Sequence, residues 1–357
     1  MSAAKPTIRD VAHVAGGPVT TVPHALTEVE TARGKAETRD RVHAAAAELG
    51  YSPNKLASGL RRQRSQTLGL LSDQIATTPY AGQIILGAQE TAAALGWVLM
   101  LYSTGADAQL EQREILALQE HRVDGVLYAT MYHHHVELPV ELERFPLVLV
   151  DCFTTGAAVP AVVPDEFHAG YEATRELLDH GHRRIGFVTN IDDVPATTGR
   201  LNGYRKALEH AGIAFDDRLV AADASETLGG YRTALRLLTL GERPTAIFAY
   251  NDRMAMGVYR AAYELGIAIP RDLSVVGVDN QQILADGLYP GLTTMALPHY
   301  EMGAWGVETL VRLINAQPVA RSLEPHRLHC PIVRRQSVAA PGGATRTGSH
   351  PLPPKPP

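Results

Sequence analysis

Hydrophobic positions follow two different rhythms along this chain, and the change falls near residue 66. Before it the apolar residues are spaced for short helices, with no strand alternation. Thr7, followed three residues later by Asp10, is a capping pair for a helix from Ile8 to Ala15, which Gly16-Gly17 ends. A second short helix fits Val19 to Leu26, and a third fits Glu37 to Leu49, closed by Gly50. A fourth stretch, Asn54 to Leu60, follows Pro53 and runs into the basic Arg61-Arg62-Gln63-Arg64. Helix, glycine turn and second helix in about 20 residues make the helix-turn-helix pattern, whose second helix enters the DNA major groove.

From Thr67 onward strands and helices alternate. Strand-like apolar runs are Leu68–Leu71, Trp97–Tyr102, Val123–Tyr128, Leu147–Val150, Ile185–Val188, Ala246–Ala249 and Leu273–Val278. Between most of them lie amphipathic segments: Gly82–Leu95, Gln109–His121, Ala169–His180, Leu201–Ala211, Gly230–Leu240 and Arg253–Leu265. Strands apolar on both faces and joined by helices indicate parallel sheets covered on both sides. Gly96, Gly181, Gly212 and Gly266 each follow a helix, where a left-handed cap is expected. So many βα units would make one very wide sheet, so the reading is two lobes. The tail from Pro341 is rich in Gly and Pro with almost no large apolar residues, and is read as disordered.

Composition narrows the function. The 357 residues are 45% hydrophobic and 20% charged, enough for full-sized cores without a staple. Cys152 and Cys330 are the only cysteines, too few for a disulfide scaffold, a thiolate zinc site or an iron–sulfur cluster. No apolar run approaches the roughly 18 residues of a membrane helix, so the expected place is the cytoplasm. The net charge of −5 divides into +4 over residues 1–65 and −9 over the rest. A basic head on an acidic body suggests a polyanion-binding module ahead of something else.

In open α/β folds ligands bind beyond the carboxyl ends of strands. Asp151, Asn251-Asp252 and Asp279-Asn280 stand at such ends, and Arg200 lies in the helix after Ile185–Val188. Their planar, multidentate hydrogen bonding suits a sugar or related polyol, with an aromatic such as Tyr80 stacking on its apolar face. His133-His134-His135 is read as an exposed loop rather than a metal site, because three adjacent histidines cannot all face one ion. Phosphate-loop, dinucleotide and nucleophile-elbow motifs are absent, and no nucleophile has a plausible base. No cofactor, metal or catalytic residue is assigned. A small α/β enzyme acting on a sugar or nucleoside is the rival class.

The ordered blocks carry more. Thr7-Ile8-Arg9-Asp10-Val11-Ala12-His13-Val14-Ala15-Gly16, Val19-Thr20-Thr21-Val22 and Leu26 are followed by Glu37-Thr38-Arg39-Asp40-Arg41-Val42, Glu48-Leu49-Gly50-Tyr51 and Pro53-Asn54-Lys55-Leu56-Ala57. Together they resemble the opening of the lactose-repressor (LacI/GalR) family of bacterial transcription regulators. The body resembles the same family through His180-Gly181-His182-Arg183-Arg184-Ile185, Arg200-Leu201-Asn202-Gly203-Tyr204-Arg205, Val275-Val276-Gly277-Val278-Asp279 and Val333-Arg334-Arg335-Gln336-Ser337.

That resemblance implies a small all-α helix-turn-helix head (1–52), a hinge helix and linker (53–66), a two-lobed α/β periplasmic-binding-protein-like sensor domain (67–341, crossovers near 163 and 296) and a disordered tail (342–357). It implies DNA contacts by Thr7, Val19, Thr20, Thr21, His24, Asn54, Lys55 and Arg61, with Leu60 wedging into the minor groove. It implies effector contacts by Thr78, Tyr80, Asp151, Arg200, Asn251 and Asp279. The expected partners are double-stranded operator DNA, a sugar-like effector and a second copy of the chain, and no membrane. Departures are Pro18 and Pro23 where the family has Ser, and His24 where it usually has Arg. Cys152 stands where Arg is frequent, and Leu297 where Gln is. Pro23, four residues beyond Val19, would remove an interior helix bond worth on the order of 3 kcal/mol. An alternative reading is therefore a cytosolic sensor with impaired sequence-specific DNA binding.

Overall fold

A computed structural model describes residues 6–26, 36–51, 64–75, 82–156, 158–320 and 322–342. The chain divides into two compact units, Met1–Gln66 and Thr67–Pro357. The fourth helical stretch with Asn54, Lys55, Leu60 and Arg61, the pair Thr78 and Tyr80, and the tail beyond 342 lie outside the described residues.

In the first unit α1 (Ile8–Val14), α2 (Thr21–Ala25) and α3 (Ala36–Leu49) enclose a core of small residues: Val11, Ala12, Ala15, Val22, Ala25, Val42, Ala45 and Ala46. The Asp10 carboxylate accepts from the Thr7 amide and hydroxyl, both at 2.7 Å, and these bonds hold its pKa below the ordinary value. Gly16 turns the chain at φ +63, and Gly50 ends α3 at φ +62. The second helix differs from expectation. It begins at Thr21, so Val19 and Thr20 form the turn before it rather than its first residues. Pro23 is then the third helical residue, where an amide has no intrahelical acceptor in any case. The next bond, Leu26 N–H to the Val22 carbonyl, is made at 3.0 Å. The bond to Val19 that Pro23 was expected to delete is not one this helix contains.

The second unit holds two six-stranded sheets. One has the order β11-β5-β4-β3-β1-β2, the other β12-β10-β9-β8-β6-β7, and among the described residues only β12 runs antiparallel to its neighbour. The first lobe uses β1 (Thr67–Ser72), β2 (Val98–Ser103), β3 (Gly125–His135), β4 (Leu147–Phe153), β5 (Ala161–Pro164) and β11 (His326–Leu328), with helices α4 (Gly82–Ala94), α5 (Ala108–Glu120) and α11 (His299–Ile314). The second uses β6 (Ile185–Asn190), β7 (Val220–Asp223), β8 (Ala246–Ala249), β9 (Ser274–Asp279), β10 (Thr293–Ala296) and β12 (Ile332–Val333). Its helices are α6 (Glu166–Asp179), α7 (Pro195–His210), α8 (Thr227–Leu238), α9 (Asp252–Glu264) and the short α10 (Gln282–Ala285).

Each lobe buries its own core. Leu68, Leu70, Ile84, Leu127, Val148 and Leu310 fill the first. In the second, Phe187 stacks on Phe248 at 4.7 Å between centroids and on Tyr204 at 5.3 Å. The four glycines read as caps all have positive φ, from +66 to +92. Strands of two to four residues (β5, β7, β10, β11, β12) and helix α11 are absent from the expected elements, because so short an apolar run as these strands carries no period. The chain passes between the sheets three times: from β5 to α6, from β10 to α11, and from β11 to β12. The third passage has no counterpart among the expected crossovers. No described helix is long and apolar enough to cross a membrane.

Candidate functional site

The carboxyl ends of the strands in both lobes, with the passages between them, line a cavity of about 270 Å³. That is near the lower end of the range for small-molecule sites, and about right for one sugar ring. Three of the expected effector residues meet there with Arg200: Asp151 near the carboxyl end of β4, Asp279 at the end of β9 and Asn251 before α9. Strands β4 and β9 hold the same place, third from the β11 or β12 edge, in their respective sheets. Asp151 and Asp279 are therefore counterparts across the cleft. Both have left-handed backbones, φ 59 and φ 114, a strain commonly held at binding sites.

Arg200 is placed by tight helix packing. A side chain at Gly170 of α6 would overlap the Arg200 backbone, and one at Gly199 would press on Glu166. With hydrogen there instead, α7 lies close enough to α6 for Arg200 Nε to donate to Glu166 Oε2 at 2.7 Å. Its Nη1 donates to the Tyr250 carbonyl at 2.5 Å, and the guanidinium lies 4.4 Å from the Tyr250 ring centroid. Arg200 is 3% exposed. Burial works against its charge, but the nearby Glu166 carboxylate outweighs it and holds the pKa above the ordinary value. The guanidinium is a rigid, charged wall of the cleft.

The carboxyls behave differently. Burial raises Asp151 well above its ordinary pKa, and Asp279 to about 6. Asp279 accepts from Gln281 Nε2 at 2.7 Å. Beneath it Asp252, also raised by burial, accepts from Thr294 Oγ1 at 2.6 Å and the Gln281 amide at 2.8 Å. Asp151 Oδ1 is buried with no hydrogen-bond partner among the described residues. Asn251 is spoken for: its Oδ1 caps α9 through the Met254 amide at 2.8 Å, and its Nδ2 donates to the Ser225 carbonyl at 3.0 Å. It shapes the wall and has one oxygen lone pair and one N–H left for a ligand.

The histidine run is not a loop. Strand β3 continues through His135, and its pairing with β4 slips register between Ala129 and His134. Such a slip re-aims side chains, and His133 lines the cleft beside Met131 and Tyr132. The His133 ring sits edge-on to Phe153 at 5.6 Å; its Nδ1 is buried without a hydrogen-bond partner among the described residues, and burial lowers its pKa to about 4. His299, at the start of α11, is likewise lowered to about 4 by burial and by Arg200. Glu166 and Tyr250 are not among the residues the sequence singles out, and His133 is singled out there only as part of an exposed loop; Glu166 follows a four-residue strand too short to signal its own end. Leu297 lines the cleft, whereas Cys152 packs into an apolar cluster with Val136, Leu149 and Ala161. Among the described residues no group of three or more His, Cys, Asp or Glu could hold a metal.

On the head, Thr7, Val19 and Thr20 are exposed and Thr21 is half-buried, one at the start of α1 and three around the start of α2. His24 lies in α2, and its side chain is outside the described residues.

Residues 65–330 match the model of periplasmic binding proteins and the sugar-binding domain of the LacI family, and residues 7–54 match that of bacterial regulatory proteins of the lacI family. The chain belongs to the LacI family. It is a DNA-binding transcriptional regulator with a helix-turn-helix head and an effector-binding α/β body. The transcriptional repressor PurR of Proteus mirabilis is 33% identical over 340 residues, covering 93% of this chain and 97% of that protein. The ribose operon repressor of Haemophilus influenzae is 32% identical over 312 residues, 87% of this chain and 92% of that one. Among solved structures, a transcriptional regulator CelR–cellobiose complex is 27% identical, with a TM-score of 0.65 over 93% of this chain and 99% of that one. The named relatives are LacI-family regulators rather than enzymes.

Proposed function

We propose that this LacI-family chain is a repressor whose operator affinity is set by a small polyol, sugar-like in its hydroxyl pattern, bound between the lobes. The observation that carries this reading is the cleft itself: Asp151 from one lobe, Asp279, Asn251 and Arg200 from the other, converging on one ring-sized cavity. A ligand bridging them favours one relative setting of the lobes. Through the hinge segment 53–66 of two paired chains, that setting biases how the heads engage a near-palindromic operator, and effector and operator change each other's affinity by the same factor. The cellobiose bound to the CelR relative supports a sugar class.

Thr7, Val19, Thr20, Thr21 and His24 are proposed as the head's DNA contacts, with Asn54, Lys55 and Arg61 at phosphates and Leu60 as the wedge. In the free chain the Thr7 hydroxyl donates to Asp10, so it meets a phosphate only by giving up that bond. Fluorescence anisotropy with the chain's own upstream DNA and a scrambled duplex, across a salt series, tests the reading. Preference for the upstream DNA by about a hundredfold is expected. Equal, steeply salt-dependent binding to every candidate operator refutes it. Leu60→Ala should weaken specific binding more than nonspecific, and Arg200→Ala should abolish effector response with DNA affinity retained.

A further inference from the structure

We propose that His133 is a specificity-determining effector contact, and that it and Asp151 together receive two hydroxyls of the ligand. This rests on the effector reading above and gives a role to the part of the histidine run that lines the cleft.

The run enters the cleft because β3 is longer than the strand it pairs with. Between the pairs Ala129–Val150 and His134–Cys152, four residues of β3 (130–133) stand against the single residue Asp151 of β4. The surplus has to leave the ladder, and a bulge re-aims the side chains it carries. Specific bonds hold this one. Thr130 Oγ1 donates to the Asp151 carbonyl at 2.9 Å and lies 3.0 Å from that of Tyr132, while the Met131 amide donates to Asp73 Oδ2 at 3.3 Å. The three imidazoles then go different ways. His134 Nδ1 donates to the Tyr132 carbonyl at 2.7 Å, and His135 Nε2 meets the Thr155 hydroxyl at 3.0 Å. Of the three, His133 is the one that lines the cavity, its ring set edge-on to Phe153.

His133 and Asp151 each precede the rejoined pair His134–Cys152 by one residue, so they are neighbours on one wall of the cleft. Among the described residues both His133 Nδ1 and Asp151 Oδ1 are buried without a hydrogen-bond partner. Buried polar atoms are nearly always bonded, so two orphans on neighbouring residues of one cavity mark where a ligand completes the set. Cys152, next along β4, is turned into an apolar cluster and adds no polar group to this wall. Burial keeps the His133 ring neutral near pH 7, so it offers one donor and one acceptor according to its tautomer. A hydroxyl both donates and accepts, and therefore answers either nitrogen state and either protonation state of Asp151. An apolar ligand at this wall would leave both atoms unmet and lose affinity for it.

The test uses the full chain and three variants. His133→Phe keeps a ring against Phe153 and removes both nitrogens, His133→Asn keeps a polar atom near the Nδ1 position, and His135→Gln is the control outside the cleft. Calorimetric titration with D-glucose, D-galactose, D-mannose, D-ribose and cellobiose identifies a sugar that binds. His133→Phe is expected to weaken that sugar tenfold or more, His133→Asn less than threefold and His135→Gln less than twofold. Without sugar, the Tm of His133→Phe should match or exceed that of the unmodified chain, because an unmet buried atom has been removed. A ring that only supports the bulge would lower the Tm by several degrees instead. Such a fall, failure of His133→Phe to fold, unchanged affinity in His133→Phe, equal losses in His133→Phe and His135→Gln, or no binding by any of the five sugars would each overturn the proposal. A sugar bound equally well by His133→Phe would leave the effector reading standing. Sugar binding that never alters operator affinity would sink the regulator reading alone.

Discussion

Removing Glu166 isolates the effect of one buried charge. The Glu166 and Arg200 side chains are 6% and 4% exposed and meet at 2.7 Å. Glu166→Ala removes the ion-pair partner of the buried guanidinium, leaving the Tyr250 carbonyl and ring in contact with it and the Asp279 carboxyl nearby. Removing one partner of a buried ion pair costs about 3–5 kcal/mol. For a unit of this size that corresponds to a fall in Tm of about 6–20 °C. Glu166→Gln keeps an acceptor for Nε but not the charge, and should lose roughly half as much. Pairing Glu166→Ala with Arg200→Met removes both charges, and should recover most of the stability. Urea denaturation followed by fluorescence and circular dichroism measures all three and Arg200→Met alone. A loss below about 1 kcal/mol for Glu166→Ala would show that water reaches the guanidinium. A double variant as unstable as the sum of its parts would show that the pair acts by shape rather than by charge.

The geometry makes three further outcomes testable. Asp279 is raised by burial to about 6 from an ordinary 3.8, so the folded state holds its proton more tightly than the unfolded chain. Its contribution is therefore favourable at low pH and is lost as pH rises from about 4 to 6; His133 and His299, lowered to about 4, push the opposite way between 4 and 6.5. Asp279→Asn should thus stabilise the chain relative to the unmodified protein above pH 6 and not below pH 4, as read by denaturation at several pH values; a constant difference would contradict the assignment. Pro23→Ser should change head stability by less than about 1 kcal/mol, since a first-turn proline removes no helix bond. A change near 3 kcal/mol in the low-denaturant transition would place Pro23 in a helix interior instead. Gly170→Ala forces a methyl into the Arg200 backbone and should both destabilise the body and blunt effector response; unchanged titrations would show that α6 and α7 can separate without moving Arg200.

The fold is legible in the sequence wherever an element is long enough to show a period. Ala246–Ala249 coincides with its predicted run, and each of the six predicted body helices overlaps an observed one. The relative placement of residues is harder to read. Asp151, Asn251 and Asp279 stand out because each comes directly after an apolar run that marks a strand. That signal fails after β5, whose four residues include Pro164 and hide Glu166. The register slip in β3 also leaves no mark in composition, so three polar histidines resemble a loop although they end a strand. Pro23 shows the converse. The proline does mark a short helix, but its effect depends on where the first turn begins, and two residues separate an interior position from a harmless one.

The triple passage between the sheets has a consequence for synthesis. The first lobe starts with β1 at Thr67 but needs α11 and β11, which end at Leu328, to cover its face and complete its edge. On a ribosome adding roughly 5–20 residues per second, the second lobe's β6–β10 emerge while the first still lacks its final strand and covering helix. The lobe begun first is completed only after all of the second except its edge strand β12 has emerged. A truncation or protease cut anywhere between residues 164 and 299 would leave two partial sheets rather than one intact lobe. Exchange of sensing specificity between relatives therefore has to take the whole body, joined near residue 66.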